Sequence, residues 1–136
     1  MAKTVTVNVT QVSPSASKGT ARTHEVFIDR PTAQDGEDMG PMGGELLLIG
    51  LGGCFMSTLL AAIRAREADV SDVAIDVAGV IDGTPGRFTA AKLTISAKYD
   101  DPDLMEKLVT ISQRGCLVVN TLKDALDLSF VFVQKN

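Results

Sequence analysis

The sequence predicts one soluble α+β domain in which a mostly antiparallel sheet surrounds a long buried helix. The chain has 136 residues, which is room for one domain with its own core and not comfortably for two. Its hydrophobic fraction of 45% and charged fraction of 22% are close to the averages of folded globular proteins. Strand-like segments lie on both sides of one long apolar segment, and short turns join them as hairpins. We therefore expect a single domain over residues 1–136.

The first third of the chain predicts a β-hairpin followed by a loop. Residues 3–12, KTVTVNVTQV, carry valine at alternate positions, which is typical of a half-buried antiparallel strand. Residues 13–19 are turn-like in composition, and residues 20–29 are β-prone and predict the returning strand. Residues 30–44 contain four glycines and two prolines and predict a loop.

A long apolar helix is predicted next, from about Glu45 to Arg66. Its centre, residues 46–63, has eighteen residues without a charge, which is the lower limit for a membrane-spanning helix. Strand-like segments on both sides and the lack of a second such segment favour the buried centre of a soluble fold, or a dimer interface. We expect no membrane partner.

The remaining predicted elements are two hairpin strands, two helices and a last strand: residues 73–81, 88–99, 101–113, 116–125 and 128–134. The short turn DGTPG joins the two strands. Asp101 predicts the N-cap of the first of these helices, with Pro102 at its first position. The predicted order is ββ-α-ββ-αα-β.

Charge and composition exclude several kinds of partner. The net charge of −4 argues against nucleic acid and against an anionic membrane, because both surfaces repel an acidic protein. The N-terminal residues alternate at once and contain no apolar stretch typical of a signal peptide, so we expect a cytoplasmic protein. Two cysteines and the single histidine, His24, do not supply a four-ligand zinc site, so no metal is expected.

The two cysteines are the candidate reactive residues. Cys54 follows two glycines in the apolar helix, where a free cysteine commonly packs as a small hydrophobe. Cys116 follows Gly115 at a predicted helix start, where N–H groups and the helix dipole are expected to lower the pKa of its thiol. In a reducing compartment such a pair is more often reactive or buried than a structural disulfide.

Two motifs resemble those of the OsmC/Ohr family, the osmotically inducible and organic hydroperoxide resistance proteins. The segment GPMGGELLLIGLGGCF is similar to the family's Pro-Glu-Glu-Leu-Leu, small-residue run and Ala-or-Gly-Cys-Phe. The segment CLVVNTL is similar to its Cys-Pro-Val-Ser-Asn-Thr-Leu. The order and spacing of the motifs agree with the family, and the resemblance covers nearly the whole chain.

The resemblance implies an intertwined homodimer that reduces small organic hydroperoxides. Cys54 is then the peroxidatic thiol, which is oxidised to a sulfenic acid, and Cys116 is the resolving thiol, which forms a disulfide with it. No cofactor is bound, and an external dithiol of the lipoyl type, in many members a lipoylated protein, reduces the disulfide. The family also uses an arginine that lowers the pKa of the first thiol and a glutamate that orients this arginine.

The arginine and the glutamate have less direct counterparts in this chain. The family's catalytic glutamate stands ten residues before the first cysteine, where this chain has Gly44, and Glu45 matches the second glutamate of the pair. Nine residues of helix place Glu45 on the side opposite Cys54. Arg22 and Arg30 are both candidates for the arginine, and Arg30 is preferred because it opens the loop that leads into the helix.

These departures leave two functions open. The retained cysteines favour a thiol-dependent peroxidase. The glycine at position 44, together with Leu117 and Val119 where the family has proline and serine, favours a member that kept the fold but binds a small apolar ligand or senses redox state.

Overall fold

The computed structural model describes all 136 residues and divides them into two compact units. The first unit is Met1–Leu47 and the second unit is Leu48–Asn136. The elements in chain order are β1 Asn8–Gln11, β2 Ser17–Ala21, β3 His24–Ile28, α1 Gly43–Ala65, β4 Val70–Asp82, β5 Arg87–Tyr99, α2 Pro102–Gly115, α3 Leu117–Leu122 and β6 Asp127–Gln134. The α+β class is confirmed. One domain over residues 1–136 stays a prediction.

The first unit contains a three-stranded antiparallel sheet in the order β1-β2-β3. The predicted hairpin was wrong in two respects. The segment predicted as one returning strand is divided by a turn at Arg22, whose φ of 56° reverses the chain. Residues from Ser17 to Gly19, predicted as a turn, pair on both sides as the middle strand. Turn-like composition did not predict this strand, because it forms by pairing with β1 and β3 and not from the preferences of its own residues.

One face of this sheet is apolar and uncovered in the single chain. Val9, Gly19 and Val26 lie opposite one another across the three strands. Val7 is 62% exposed, and with these residues it borders a depression of about 300 Å³. The predicted half-burial of the N-terminal valines is therefore not provided by this chain alone.

The second unit contains a three-stranded sheet in the order β4-β5-β6. Strands β4 and β5 form the predicted hairpin, whereas β6 pairs with β5 in parallel, which requires the crossover that α2 and α3 provide. Three of the four strand pairs in the protein are antiparallel, as predicted.

The core of the second unit lies between α1, α2 and the sheet. On α1, Leu51, Phe55 and Leu59 recur every fourth residue and are fully buried, which is the pattern of one helix face. On β5, Leu93 and Ile95 alternate with more exposed residues and face the same core. The phenyl rings of Phe55 and Phe130 stack at 5.3 Å.

Helix α1 confirms the predicted helix within two residues at either end, but only one of its faces is buried. Leu47, Ile49 and Leu60 are 41%, 59% and 39% exposed. By length and composition α1 also meets the criteria for a membrane-spanning helix. Its buried face forms part of the core of the second unit.

Candidate active site

The thiol pair, Cys54 and Cys116, comes together in the second unit. Cys54 lies near the middle of α1 and is half-buried. Cys116 lies at the α2–α3 corner, Gly115–Leu117, and is fully buried. Both thiols are free, and the thiol of Cys54 is close enough to the thiol of Cys116 to raise its pKa. Two residues 62 positions apart in sequence therefore share one site.

The backbone of the α2–α3 corner is fixed by Asn120. Cys116 has an extended conformation, with φ −84° and ψ 118°, so it ends α2 and precedes α3. The backbone N–H of Asn120 donates to the carbonyl oxygen of Cys116 at 3.0 Å. The side-chain amide of Asn120 donates to the carbonyl oxygen of Arg114 at 3.1 Å. These two bonds connect the ends of the corner and orient Cys116.

Burial raises the pKa of the Cys116 thiol, and the adjacent Cys54 thiol raises it further. The N–H groups of Val119 and Val118 act in the opposite direction, because they favour the thiolate, but burial dominates. The helix start therefore acts on this pKa in the predicted direction, but the predicted net lowering was wrong because burial outweighs it. Helix α3 has only six residues, and the sequence did not show how deeply the thiol is buried.

On the α1 side of the pair, Thr58 connects Cys54 to the corner. The hydroxyl of Thr58 donates to the carbonyl oxygen of Cys54 at 3.0 Å, one helical turn back. A Cβ atom added to Gly115 would lie 3.3 Å from Cγ2 of Thr58. The corner therefore packs on the turn of α1 that follows Cys54. Thr58 is not predictable from the sequence as a site residue, since a threonine within an apolar helix gives no distinctive signal.

Arg30 lies in the first unit, just after β3. Its side chain is exposed and is in neither of the two ion pairs of the protein, Lys18–Glu25 and Lys135–Asp72. It borders a cavity of about 450 Å³ whose other lining residues include Ser15, Ser17, Gln34 and Gly44. Gly44, the position at which the family has its glutamate, thus borders the same cavity as Arg30.

Glu45, also in the first unit, forms half of a capping box at the start of α1. Its carboxylate oxygen Oε1 accepts a hydrogen bond from the backbone N–H of Met42 at 2.9 Å. Gly43 is the first residue of the helix, so Glu45 stands at the third helical position and Met42 at the N-cap. The arrangement gives Glu45 a structural role at the helix start.

A buried carboxylate that was not predicted from the sequence, Asp29, organises the loop around Arg30. Asp29 is 3% exposed. Its two carboxylate oxygens accept hydrogen bonds from the backbone N–H groups of Arg30 at 2.7 Å, Glu37 at 3.1 Å and Met39 at 3.2 Å. An aspartate at a strand end before a proline- and glycine-rich loop is a signal for such side-chain to backbone bonding.

Fold and site together define a class: a small α+β protein with two sheets, a long apolar helix and two neighbouring free thiols. Comparisons with known proteins agree with this class. The family model described as OsmC-like protein matches residues 35–130. Because the match covers more than half of the chain, this protein belongs to the OsmC-like family, and the family resemblance of the two cysteine motifs is confirmed.

Individual relatives are distant in sequence and close in fold. The uncharacterized protein YmaD of Bacillus subtilis (strain 168) is 26% identical over 109 residues, which cover 74% of this chain and 73% of YmaD. An OsmC-like protein from Mycoplasma pneumoniae has a TM-score of 0.87 at 17% identity, with 100% of both chains covered. An organic hydroperoxide resistance protein from Elizabethkingia anophelis has a TM-score of 0.78 at 15% identity, with 99% of this chain and 100% of that chain covered.

Proposed function

We propose that this protein is a thiol-dependent peroxidase that reduces small organic hydroperoxides, with Cys54 as the peroxidatic and Cys116 as the resolving cysteine. One observation carries the assignment of roles. The two free thiols are neighbours in the core of the second unit, but Cys54 is half-exposed whereas Cys116 is fully buried. A hydroperoxide in solution therefore reaches Cys54 first. The fold shared with proteins named for organic hydroperoxide resistance supports the substrate class.

The proposed reaction has three steps. The Cys54 thiolate attacks the terminal peroxide oxygen, the O–O bond breaks, and the alkoxide takes a proton and leaves as the alcohol, so the sulfur becomes a sulfenic acid. Cys116 then attacks this sulfur, the S–O bond breaks, and water leaves with the proton of Cys116 as the disulfide forms. An external dithiol of the lipoyl type returns two electrons by thiol–disulfide exchange and becomes a disulfide itself.

The cation that activates Cys54 is proposed to be Arg30. Arg30 has no carboxylate partner, and its planar guanidinium is suited to bind a thiolate and a peroxide oxygen together. Arg30→Ala is expected to slow alkylation of Cys54 at pH 7 by about tenfold, because the thiolate loses the cation that stabilises it. Arg22→Ala is the control, with a smaller effect expected.

A homodimer is part of the same proposal. The exposed apolar face of α1 and the uncovered apolar face of the β1-β2-β3 sheet both lack a covering in the single chain. A second copy of the same chain supplies a covering for such surfaces, so no other protein is needed. We place the protein in the cytoplasm, where its role is protection against oxidative stress and the dithiol reductant is available.

Consumption of cumene hydroperoxide and of hydrogen peroxide, with dihydrolipoamide as reductant, tests the function. The wild type is expected to prefer the organic peroxide. In the absence of dihydrolipoamide, one equivalent of the organic peroxide is expected to remove both of its free thiols. Cys116→Ser is expected to accumulate a sulfenic acid that dimedone traps, and Cys54→Ser to react slowly. Equal reactivity of the two single variants contradicts the assignment of roles.

A second function, binding of a small apolar ligand or redox sensing, is favoured by Gly44. The residue borders the cavity beside Arg30 where the family has its glutamate. Under the peroxidase proposal the wild type turns over and Gly44→Glu increases the rate. A wild type that does not turn over, but gains activity with Gly44→Glu, identifies a binding or sensing member that has lost its catalytic carboxylate.

A further inference from the structure

Gly115 stands where the α2–α3 corner comes closest to α1. A Cβ atom there would lie 3.3 Å from Cγ2 of Thr58, which is shorter than the ordinary separation of about 3.5–4.0 Å between carbon atoms. The backbone of Gly115 does not need glycine for its conformation, because Gly83 is the only glycine with a positive φ. Glycine is therefore required at position 115 for its small size, which leaves room for Thr58.

We propose that the contact between Gly115 and Thr58 sets the distance between the Cys54 and Cys116 thiols, and that both are positioning residues for disulfide formation. The biological meaning of this inference rests on the proposed peroxidase function. The contact itself governs pairing of the two thiols by any oxidant.

The two sides of the contact are each coupled directly to one cysteine. Gly115 is bonded to Cys116, and the hydrogen bonds of Asn120 hold the corner together, so displacement of Gly115 moves Cys116 with it. Thr58 lies one turn after Cys54 on the same side of α1, and its hydroxyl bonds to the Cys54 carbonyl. A methyl group at position 115 thus separates the thiols.

Disulfide formation is sensitive to such a displacement, because the bond tolerates a narrow range of Cβ separations and dihedral angles. A misplacement of about 1 Å can slow a well-positioned reaction about a hundredfold. The few tenths of an ångström needed to relieve the contact are therefore expected to slow pairing of the thiols by about threefold to tenfold.

The test compares Gly115→Ala, Gly53→Ala and the double variant Gly115→Ala/Thr58→Ser. Serine keeps the hydroxyl that bonds to Cys54 but lacks Cγ2, so it removes the contact alone. Gly53 adjoins Cys54, and a Cβ there meets nothing within 4 Å, which makes it the matched control. Fully reduced protein is oxidised with diamide, whose N=N bond takes two electrons and two protons from the thiols. Disulfide formation is followed by mass spectrometry after alkylation.

Gly115→Ala is expected to form the disulfide about threefold to tenfold more slowly, the double variant to regain the wild-type rate, and Gly53→Ala to match the wild type. The alkylation rate of Cys54 is expected to stay unchanged in all three variants. A general loss of structure would change this rate, so the measurement distinguishes it from a displaced thiol. If Gly115→Ala also lowers the unfolding midpoint, Thr58→Ser must restore the midpoint and the rate together.

An unchanged rate in Gly115→Ala, or a slowed rate that Thr58→Ser does not restore, overturns the inference. Diamide contains no peroxide, so these results stand whether or not the protein consumes hydroperoxides. Failure of the wild type to react with cumene hydroperoxide, with normal oxidation by diamide, refutes the proposed function and leaves the positioning role intact.

Discussion

Asp29 shows how one residue organises a loop that is otherwise rich in glycine and proline. Burial raises the pKa of this carboxyl, but hydrogen bonds from the N–H groups of Arg30, Met39 and Glu37 and from the Ser15 hydroxyl outweigh it, so the pKa is lowered. The ionised carboxylate therefore contributes stability above the unfolded-state pKa of about 3.9, and this contribution is lost as the pH falls through the lower folded-state value.

Asp29→Asn is expected to lower the free energy of unfolding at pH 7, because the amide replaces one acceptor oxygen by a donor that faces backbone N–H groups. The difference from the wild type is expected to shrink as the pH falls from about 4 through the lower folded-state pKa, because the folded wild type takes up a proton on Asp29 over that range. Urea unfolding between pH 7 and pH 3 measures it. Asp35→Asn, an exposed change in the same loop, serves as control. A difference that is constant with pH contradicts this account.

Two substitutions of Glu45 distinguish a structural role of this residue from a catalytic one. Glu45→Ala removes the acceptor for the Met42 N–H and is expected to cost about 0.5–1 kcal/mol of stability. Glu45→Gln keeps an acceptor oxygen and is expected to retain most of this stability. If Glu45 serves only the helix start, the hydroperoxidase rate of Glu45→Gln equals that of the wild type. A rate loss of tenfold or more without loss of stability assigns Glu45 to catalysis.

Among the elements, α1 and β4 pack closely because Gly52 has no side chain. A Cβ at position 52 would lie 2.8 Å from Cγ2 of Val77, and valine is stiff at χ1 and cannot turn away cheaply. Gly53, the next residue, faces open space. The two adjacent glycines of α1 therefore have different roles. Gly52 permits close packing on β4, whereas Gly53 only adds backbone flexibility.

Alanine at each glycine is therefore expected to change stability in opposite directions. Gly52→Ala is expected to destabilise the protein by about 1–3 kcal/mol through overpacking. Gly53→Ala is expected to stabilise it by up to about 1 kcal/mol through helix propensity. The midpoints of urea unfolding of the two variants and the wild type measure these changes. Stabilisation by both substitutions would contradict the close packing of α1 on β4.

At the scale of the whole molecule, the exposed apolar surfaces are the feature on which the proposed homodimer rests. Ile49 on α1 is 59% exposed, and Ile81, near the β4–β5 turn, is 69% exposed. The proposed interface uses the α1 face, so Ile49→Asp is expected to produce monomers, whereas Ile81→Asp leaves the dimer intact. Sedimentation equilibrium at micromolar concentration measures both. A monomeric wild type, or equal behaviour of the two variants, refutes the dimer.

Much of the secondary structure was predictable because its signals are local. The uncharged run that forms α1, the alternation of β5 and the Asp101-Pro102 helix start each depend on neighbouring residues. Asp101 accepts hydrogen bonds from the N–H groups of Asp103 and Leu104, as expected of an N-cap. The family, too, was predictable, because two short motifs carried it.

The sequence by itself determined the α+β class, the long apolar helix and, through the motifs around the two cysteines, the family. Only the tertiary structure decided that residues 17–19 form a strand, that β6 pairs in parallel, and that Cys54 and Cys116 meet with one thiol accessible and the other buried. The strand at residues 17–19 depends on the two strands beside it, and the other two features depend on residues that are distant along the chain. Strand partners, burial and the pKa of a buried thiol are set by neighbours in space, and local patterns of polarity do not encode which neighbours those are.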